Sequence, residues 1–295
     1  MDLETKTQIL SFKSDKVAGL KWGSGSQDAQ TVVLLHGWLD SANSFLPLAS
    51  LPQMNDSPLR WLAIDFAGHG LSEWRTADAH YYFIEYVYDV LDFLEREKIS
   101  RCHFVGHSMG ALVAGVIAAG FGDKVITLTQ IDGFGLITSE ASQTQKMLQL
   151  AYLQRQTLLY KTPRRFRDYQ DIIAARLAVS DLSETLCDVL MRRSVAQDSK
   201  GWSLTSDPRL KSASAFRYTL AQAKNVLTGI TAPTLALTAE NGLKLMEQSL
   251  AEFKSCYSRL SIVPVKGGHH CHMEYPSITF EHISQHISAN NRCEL

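Results

Sequence analysis

The sequence has almost no surplus charge of either sign. Its 295 residues carry 29 Lys and Arg against 30 Asp and Glu, a formal net charge of −1. A nucleic-acid binder that works by counterion release needs a basic surplus or stripe, so that class is excluded. Long apolar runs are missing too. The longest, 111–121, falls well short of the ~20 residues a membrane span requires. There is no CxxC. The five cysteines (Cys102, Cys187, Cys256, Cys271 and Cys293) are odd in number and far apart, which predicts free thiols and a cytoplasmic chain rather than a disulfide framework. The opening MDLETKTQIL lacks the basic and apolar regions of a secretory signal, and the closing CEL is not the SKL peroxisomal address. With 45% hydrophobic and 20% charged residues, the composition is globular. The length suits one large domain, or a core with an insertion.

What is present is a rhythm of short apolar runs and helix-length segments. The runs at 31–35 (TVVLL), 61–64 (WLAI), 102–105 (CHFV), 125–131 (VITLTQI), 233–237 (PTLAL) and 260–265 (LSIVPV) are continuous rather than alternating. That is the pattern of strands covered on both faces. Residues 8–12 and 17–22 add an antiparallel hairpin at the sheet edge. Helices are expected over 82–97, where Phe83, Tyr86, Val87, Val90, Leu91 and Leu94 share one face, and over 109–119, 243–253 and 277–287. The implied architecture is an α/β fold with a mostly parallel eight-stranded sheet flanked by helices. From 134 to 229 no buried-strand run occurs. Amphipathic patterns at 142–160, 165–179, 183–193 and 214–227 predict a helical cap inserted between the sixth and seventh strands, with 1–133 and 230–295 forming the core.

The decisive segment is FVGHSMGA, 104–111. It spells G-x-S-x-G directly after a strand and directly before a helix. Such a turn holds a serine hydroxyl exposed on strained backbone, with the helix N-terminus aimed at any developing oxyanion. Ser108 is therefore the candidate nucleophile, and Gly106 and Gly110 relieve crowding at the turn. His36-Gly37-Trp38 follows an earlier strand. Its Trp38 N–H can join the Met109 N–H as a two-donor oxyanion hole, while the His36 side chain is expected to brace the loop.

A nucleophilic serine needs a base and an acid, and in this architecture they follow in the order acid, then histidine. The final strand runs into GGHHCHMEYP, 267–276. His269, just after two glycines, is the candidate base, with His270 and His272 as alternatives. Two strand ends offer the acid: Asp132 and Glu240. The histidines and Cys271 also resemble metal ligands. Adjacent residues 269 and 270 cannot easily face one ion, however, and no second cluster has zinc spacing, so neither metal nor cofactor is expected.

Taken together, LLHGWLDSANSF (34–45), IDFAGHGLS (64–72), FVGHSMGA (104–111), DPRLKSAS (207–214), APTLALTAENGL (232–243) and GGHHCHMEYP (267–276) resemble the α/β-hydrolase superfamily. Closer still is its serine hydrolase-like branch. The resemblance implies Ser108 as nucleophile, His269 as base, and Trp38 and Met109 as oxyanion donors. The superfamily's usual acid lies three residues beyond a glycine after the PTLAL-type strand. Here Ala239 replaces that glycine and Gly242 stands at the acid position. Some relatives carry the acid at the end of the preceding strand, which makes Asp132 the first choice and Glu240 the runner-up. A serine at the elbow, where dehalogenases and epoxide hydrolases on this fold use aspartate, implies acyl transfer. The expected substrate is a small or medium ester or related acyl compound. Cleavage of a C–C bond or thioester on the same site, or a non-catalytic ligand-binding protein, are the alternatives. Two cap features have two readings each. Lys161, Arg164, Arg165 and Arg167 could recognise an anionic substrate end but are expected first as a solvated basic face. The Leu, Met and Tyr positions of 147–159 could line an acyl pocket but are expected first to pack the cap onto the core.

Overall fold

The computed structural model describes residues 8–26, 28–159 and 164–291. Its main sheet joins β1 (Leu10–Ser14), β2 (Val17–Gly23), β3 (Thr31–Leu35), β4 (Arg60–Ile64), β5 (Cys102–His107), β6 (Val125–Ile131), β9 (Thr234–Asn241) and β10 (Leu260–Gly268). The spatial order is β1-β2-β4-β3-β5-β6-β9-β10. The pairs β1–β2 and β2–β4 are antiparallel, and all others are parallel. Every residue of β3, β5 and β6 is buried, as continuous Val/Ile/Leu runs require when helices cover both faces. The eight strands match the eight read from the sequence.

One face is covered by α2 (Phe83–Arg96), α3 (Met109–Gly120), α7 (Leu220–Leu227) and α8 (Leu245–Phe253), which meet Val33, Leu62, Phe104 and Leu128. On the other, α1 (Leu46–Ala49) and α10 (Pro276–Asn291) pack against Val32, Leu34, Val105 and Ile131. β3 pairs with β4 on one side and β5 on the other. The chain therefore departs in opposite directions from β3, and the crevice beyond the carboxyl ends of β3 and β5 is where this topology accommodates a ligand.

Between β6 and β9 lie α4 (Thr144–Leu159), α5 (Tyr169–Leu177), α6 (Glu184–Met191), a two-stranded hairpin of β7 (Val195–Asp198) and β8 (Gly201–Leu204), and α7. The hairpin is an addition to the helices expected there. It is four residues a side and nowhere fully buried, so it carries no apolar run to read. Phe166, Ile172, Ile173, Leu182, Cys187, Leu190 and Met191 form a cluster of their own, joined by Met273. The expectation for 147–159 is corrected. Leu148, Leu150, Tyr152 and Leu153 are exposed, and Ala151 is the buried position. α4 runs over the surface with these four side chains turned to solvent. Of the basic group, Arg165 pairs with Asp198 at 2.8 Å, Arg164 lies over the Phe166 ring, and Lys161 lies outside the described residues, as does Cys293. The four described cysteines are free and buried. Among the described residues, no helix is long and apolar enough to cross a membrane.

Candidate active site

Three strands end at one edge in strained backbone. Leu39 beyond β3, Ser108 beyond β5 and Asp132 beyond β6 have φ of 63°, 50° and 41°. Non-glycine residues occupy this region at a cost of order 1–3 kcal/mol each, and such strain gathers at functional sites. At Ser108 ψ is −118°, and α3 starts at the next residue. The sharpness of the turn explains its glycines. A Cβ on Gly106 would strike the backbone of Gly110 and Ala111, and one on Gly110 would strike the carbonyls of Leu35 and His36. Met109 opens α3, so its N–H belongs to the first-turn donors that have no partner within the helix.

The loop after β3 is fixed by His36. Its Nδ1–H donates to the Gly37 carbonyl at 2.7 Å, and its Nε2 accepts the Phe66 N–H at 3.0 Å. Burial drives its pKa down to about 4, so the ring stays neutral and serves as a brace. Gly37 has no Cβ to collide with Asp40 or His107. The Trp38 ring is half exposed, and its Nε1–H donates to the Leu210 carbonyl at 3.3 Å.

Ser108 and Asp132 sit at neighbouring strand ends. The Ser108 N–H donates to the Ile131 carbonyl at 3.0 Å, and a Cβ on Gly133 would lie 2.5 Å from the Ser108 carbonyl oxygen. The Asp132 carboxylate is fully buried. It accepts N–H groups from Ala239 at 3.3 Å and Leu243 at 2.9 Å, and His269 Nδ1–H at 2.6 Å. Glu240 is exposed near the end of β9. Gly242 explains the departure from the usual acid position, because a Cβ there would run into the Asp132 carboxylate. The space that an acid at 242 would need is filled by Asp132.

His269 is tied to the residue before Ser108. Gly267, at φ 112°, lies in the irregular end of β10, where the pairing with β9 shifts register between Val265 and Gly268. His107, the residue before Ser108, donates Nε2–H to the His269 carbonyl at 2.8 Å, and the two rings are 4.6 Å apart. The imidazole of His269 keeps partial contact with solvent. His272 is fully buried against Phe45, and burial lowers its pKa to about 3. His270 faces Asp40 and Asp181. Asp40, Asp181 and Arg176 surround the histidine loop and had not been singled out from the sequence. Asp40 stands in the HGWLD motif, but nothing local to Asp181 or Arg176 signals a long-range partner. Among the described residues, one group brings three metal-ligand atoms within 4.8 Å of one another: Asp40, His107 and His270. Of the residues weighed as ligands from the sequence, only His270 belongs to it.

A parallel sheet with a serine on a strained strand-to-helix turn is the build of an α/β-hydrolase. The family model described as alpha/beta hydrolase fold matches residues 30–276. A serine hydrolase-like protein of Dictyostelium discoideum is 30% identical over 88% of this chain and 75% of its own length. One of Danio rerio is 29% identical over 92% and 87%. A hypothetical protein of Pseudomonas aeruginosa, solved as a crystal structure, superposes with a TM-score of 0.79 at 28% identity, covering 96% of each chain. The chain belongs to the α/β-hydrolase family, in its serine hydrolase-like branch.

Proposed function

We propose that this protein is a carboxylesterase-like serine hydrolase that cleaves a small or medium ester, or related acyl compound, through an acyl-enzyme. Ser108 Oγ attacks the carbonyl carbon while His269 Nε2 takes its proton. Asp132 holds Nδ1–H, fixing the tautomer and stabilising the imidazolium that forms. The Trp38 and Met109 N–H groups receive the oxyanion, assisted by the positive end of α3. His269 then returns the proton to the leaving alcohol, and water, activated by the same ring, releases the acid. Segment 134–229 roofs the site as a cap. The free thiols support a cytoplasmic chain.

The observation that carries this reading is the 2.6 Å Asp132–His269 bond beside a serine at φ 50°. A panel of short-chain p-nitrophenyl esters tests it. Wild type should hydrolyse at least one, and Ser108→Ala should lower kcat by roughly 10⁴-fold or more, because nucleophile and base act as a unit. Equal rates for folded wild type and variant would refute the assignment. Thioester and C–C substrates in the same panel distinguish the bond type.

A further inference from the structure

Four histidines crowd behind the elbow. The His107 ring lies 4.6, 5.0 and 4.3 Å from those of His269, His270 and His272. Only His270 is flanked by carboxylates on both sides. Its Nε2 is 3.2 Å from Asp40 Oδ2, and its Nδ1 is 3.4 Å from Asp181 Oδ1. A neutral imidazole donates through one nitrogen only, so satisfying both acceptors requires the doubly protonated ring.

The two carboxylates come from different parts of the molecule. Asp40 lies two residues beyond Trp38, on the loop after β3. Asp181 lies between α5 and α6, in segment 134–229. Each has a second duty. Asp181 Oδ2 accepts the His269 N–H at 2.8 Å, and Asp40 Oδ1 accepts Arg176 of α5 at 2.8 Å. Two glycines make room for them. A Cβ on Gly268 would strike the Asp181 carboxylate, and one on Gly37 would lie 2.9 Å from Asp40 Oδ2. Four residues after His269, Met273 is buried in the hydrophobic cluster of that same segment.

We propose that His270 is a positioning residue: clamped as a double donor between Asp40 and Asp181, it fixes the loop that presents His269 and ties segment 134–229 down over the strand ends. This deepens the hydrolase reading and rests on it. The charges balance, with Asp40 and Asp181 set against His270 and Arg176. Burial pulls the His270 pKa down, but the Asp40 charge and the hydrogen bonds to Asp181 and Asp40 outweigh it and push it to about 9, with Arg176 opposing. Asp181 is held below the ordinary carboxylate range, chiefly by its bond from His270. The other groups facing His270 are His107, His269 and His272. Burial keeps His107 and His272 neutral. One ligand atom each of Asp40, His107 and His270 also lies at a spacing that a divalent ion can bridge. The guanidinium on Asp40 and the second carboxylate on His270 favour the proton.

Two measurements on the full chain test the clamp. In NMR of the ring carbons with EDTA present, His270 (assigned through His270→Gln) should titrate near pH 9. Asp181→Asn should lower that midpoint by about one unit or more. In the second, fluorophosphonate labelling of Ser108 should be about tenfold slower in Asp181→Asn, since a small misplacement of the base is costly. Asp181→Glu should recover most of the rate, and wild-type labelling should slow as pH rises through 9. His270 titrating at or below its ordinary 6.5 would overturn the proposal, as would an Asp181→Asn variant with unchanged labelling rate and pH profile. So would loss of the titration on adding one equivalent of Zn²⁺, which would make the three atoms a metal site. If Asp181→Asn does not fold, the wild-type titration decides alone. Absent labelling of folded wild type would instead count against the hydrolase reading, and the NMR titration would still decide the clamp.

Discussion

The edge of the sheet that carries Ser108 and the segment above it are held by different forces. β3, β5 and β6 are buried along their whole length, and their ends inherit that rigidity. Within segment 134–229, Phe134, Leu136, Leu210, Ala223 and Leu227 join the main core, whereas residues 166–191 have a smaller apolar cluster of their own. Polar bonds tie the 176–205 stretch to the core. Arg193 donates to buried Asp65 at 2.8 Å, Arg176 to Asp40 at 2.8 Å, Asn43 to the Val189 carbonyl at 2.8 Å, and Trp74 to the Thr205 carbonyl at 2.7 Å. Packed strands fix atoms to the tolerance that proton transfer demands. Ion pairs between two apolar clusters fix them less tightly, and they respond to pH. On the proposed reading, the chemistry belongs to the strand ends and adaptation to the 166–205 stretch.

Substitutions at the strand ends should have the largest effects. Asp132→Asn should lower kcat by about 10⁴-fold, the loss expected when a buried acid no longer sets the tautomer of its histidine. Glu240→Gln, at an exposed position, should change kcat less than about twofold; steady-state kinetics on the best ester of the panel compares them. A larger loss for Glu240→Gln would move the acid away from the buried edge. Gly242→Ala sharpens the same point. Its methyl displaces the Asp132 carboxylate, and kcat should fall about 10²-fold in a protein that still folds. Urea unfolding then probes the contrast in packing. Leu34→Ala, in the fully buried β3, should cost about 3 kcal/mol. Leu153→Ser, on the exposed face of α4, should stay within about 0.5 kcal/mol. Comparable losses would mean that α4 is packed after all.

The same contrast decides what could be read from the residues. Continuous apolar runs betray buried strands, so all eight strands of the main sheet were legible, and Gly106 and Gly110 mark a turn that only small residues allow. The β7–β8 hairpin was missed because half-exposed four-residue strands leave no pattern. α9 (Cys271–Glu274), a single turn following His270, was likewise too short to signal itself. Asp132 and Glu240 look alike in one dimension, because each follows an apolar strand. What separates them is burial and the bond to His269, which are properties of the folded sheet. His270 could be weighed only as a spare base or a metal ligand, since its partners lie 89 and 230 residues away.

The pH response follows from the same geometry. The folded-state pKa of His270, about 9, lies above its ordinary 6.5. Its contribution to stability is therefore complete below about 6.5 and disappears as pH rises through about 9. That loss should loosen the roof while leaving the buried strand ends intact.

The most direct trial is to incubate the folded protein with a fluorophosphonate and identify the modified peptide by mass spectrometry. The expected result is one phosphonyl group per chain, on Ser108, formed more slowly in Asp132→Asn and absent in Ser108→Ala. Folded wild-type protein that stays unmodified, or that is modified at another residue, would contradict the assignment of this serine as the nucleophile.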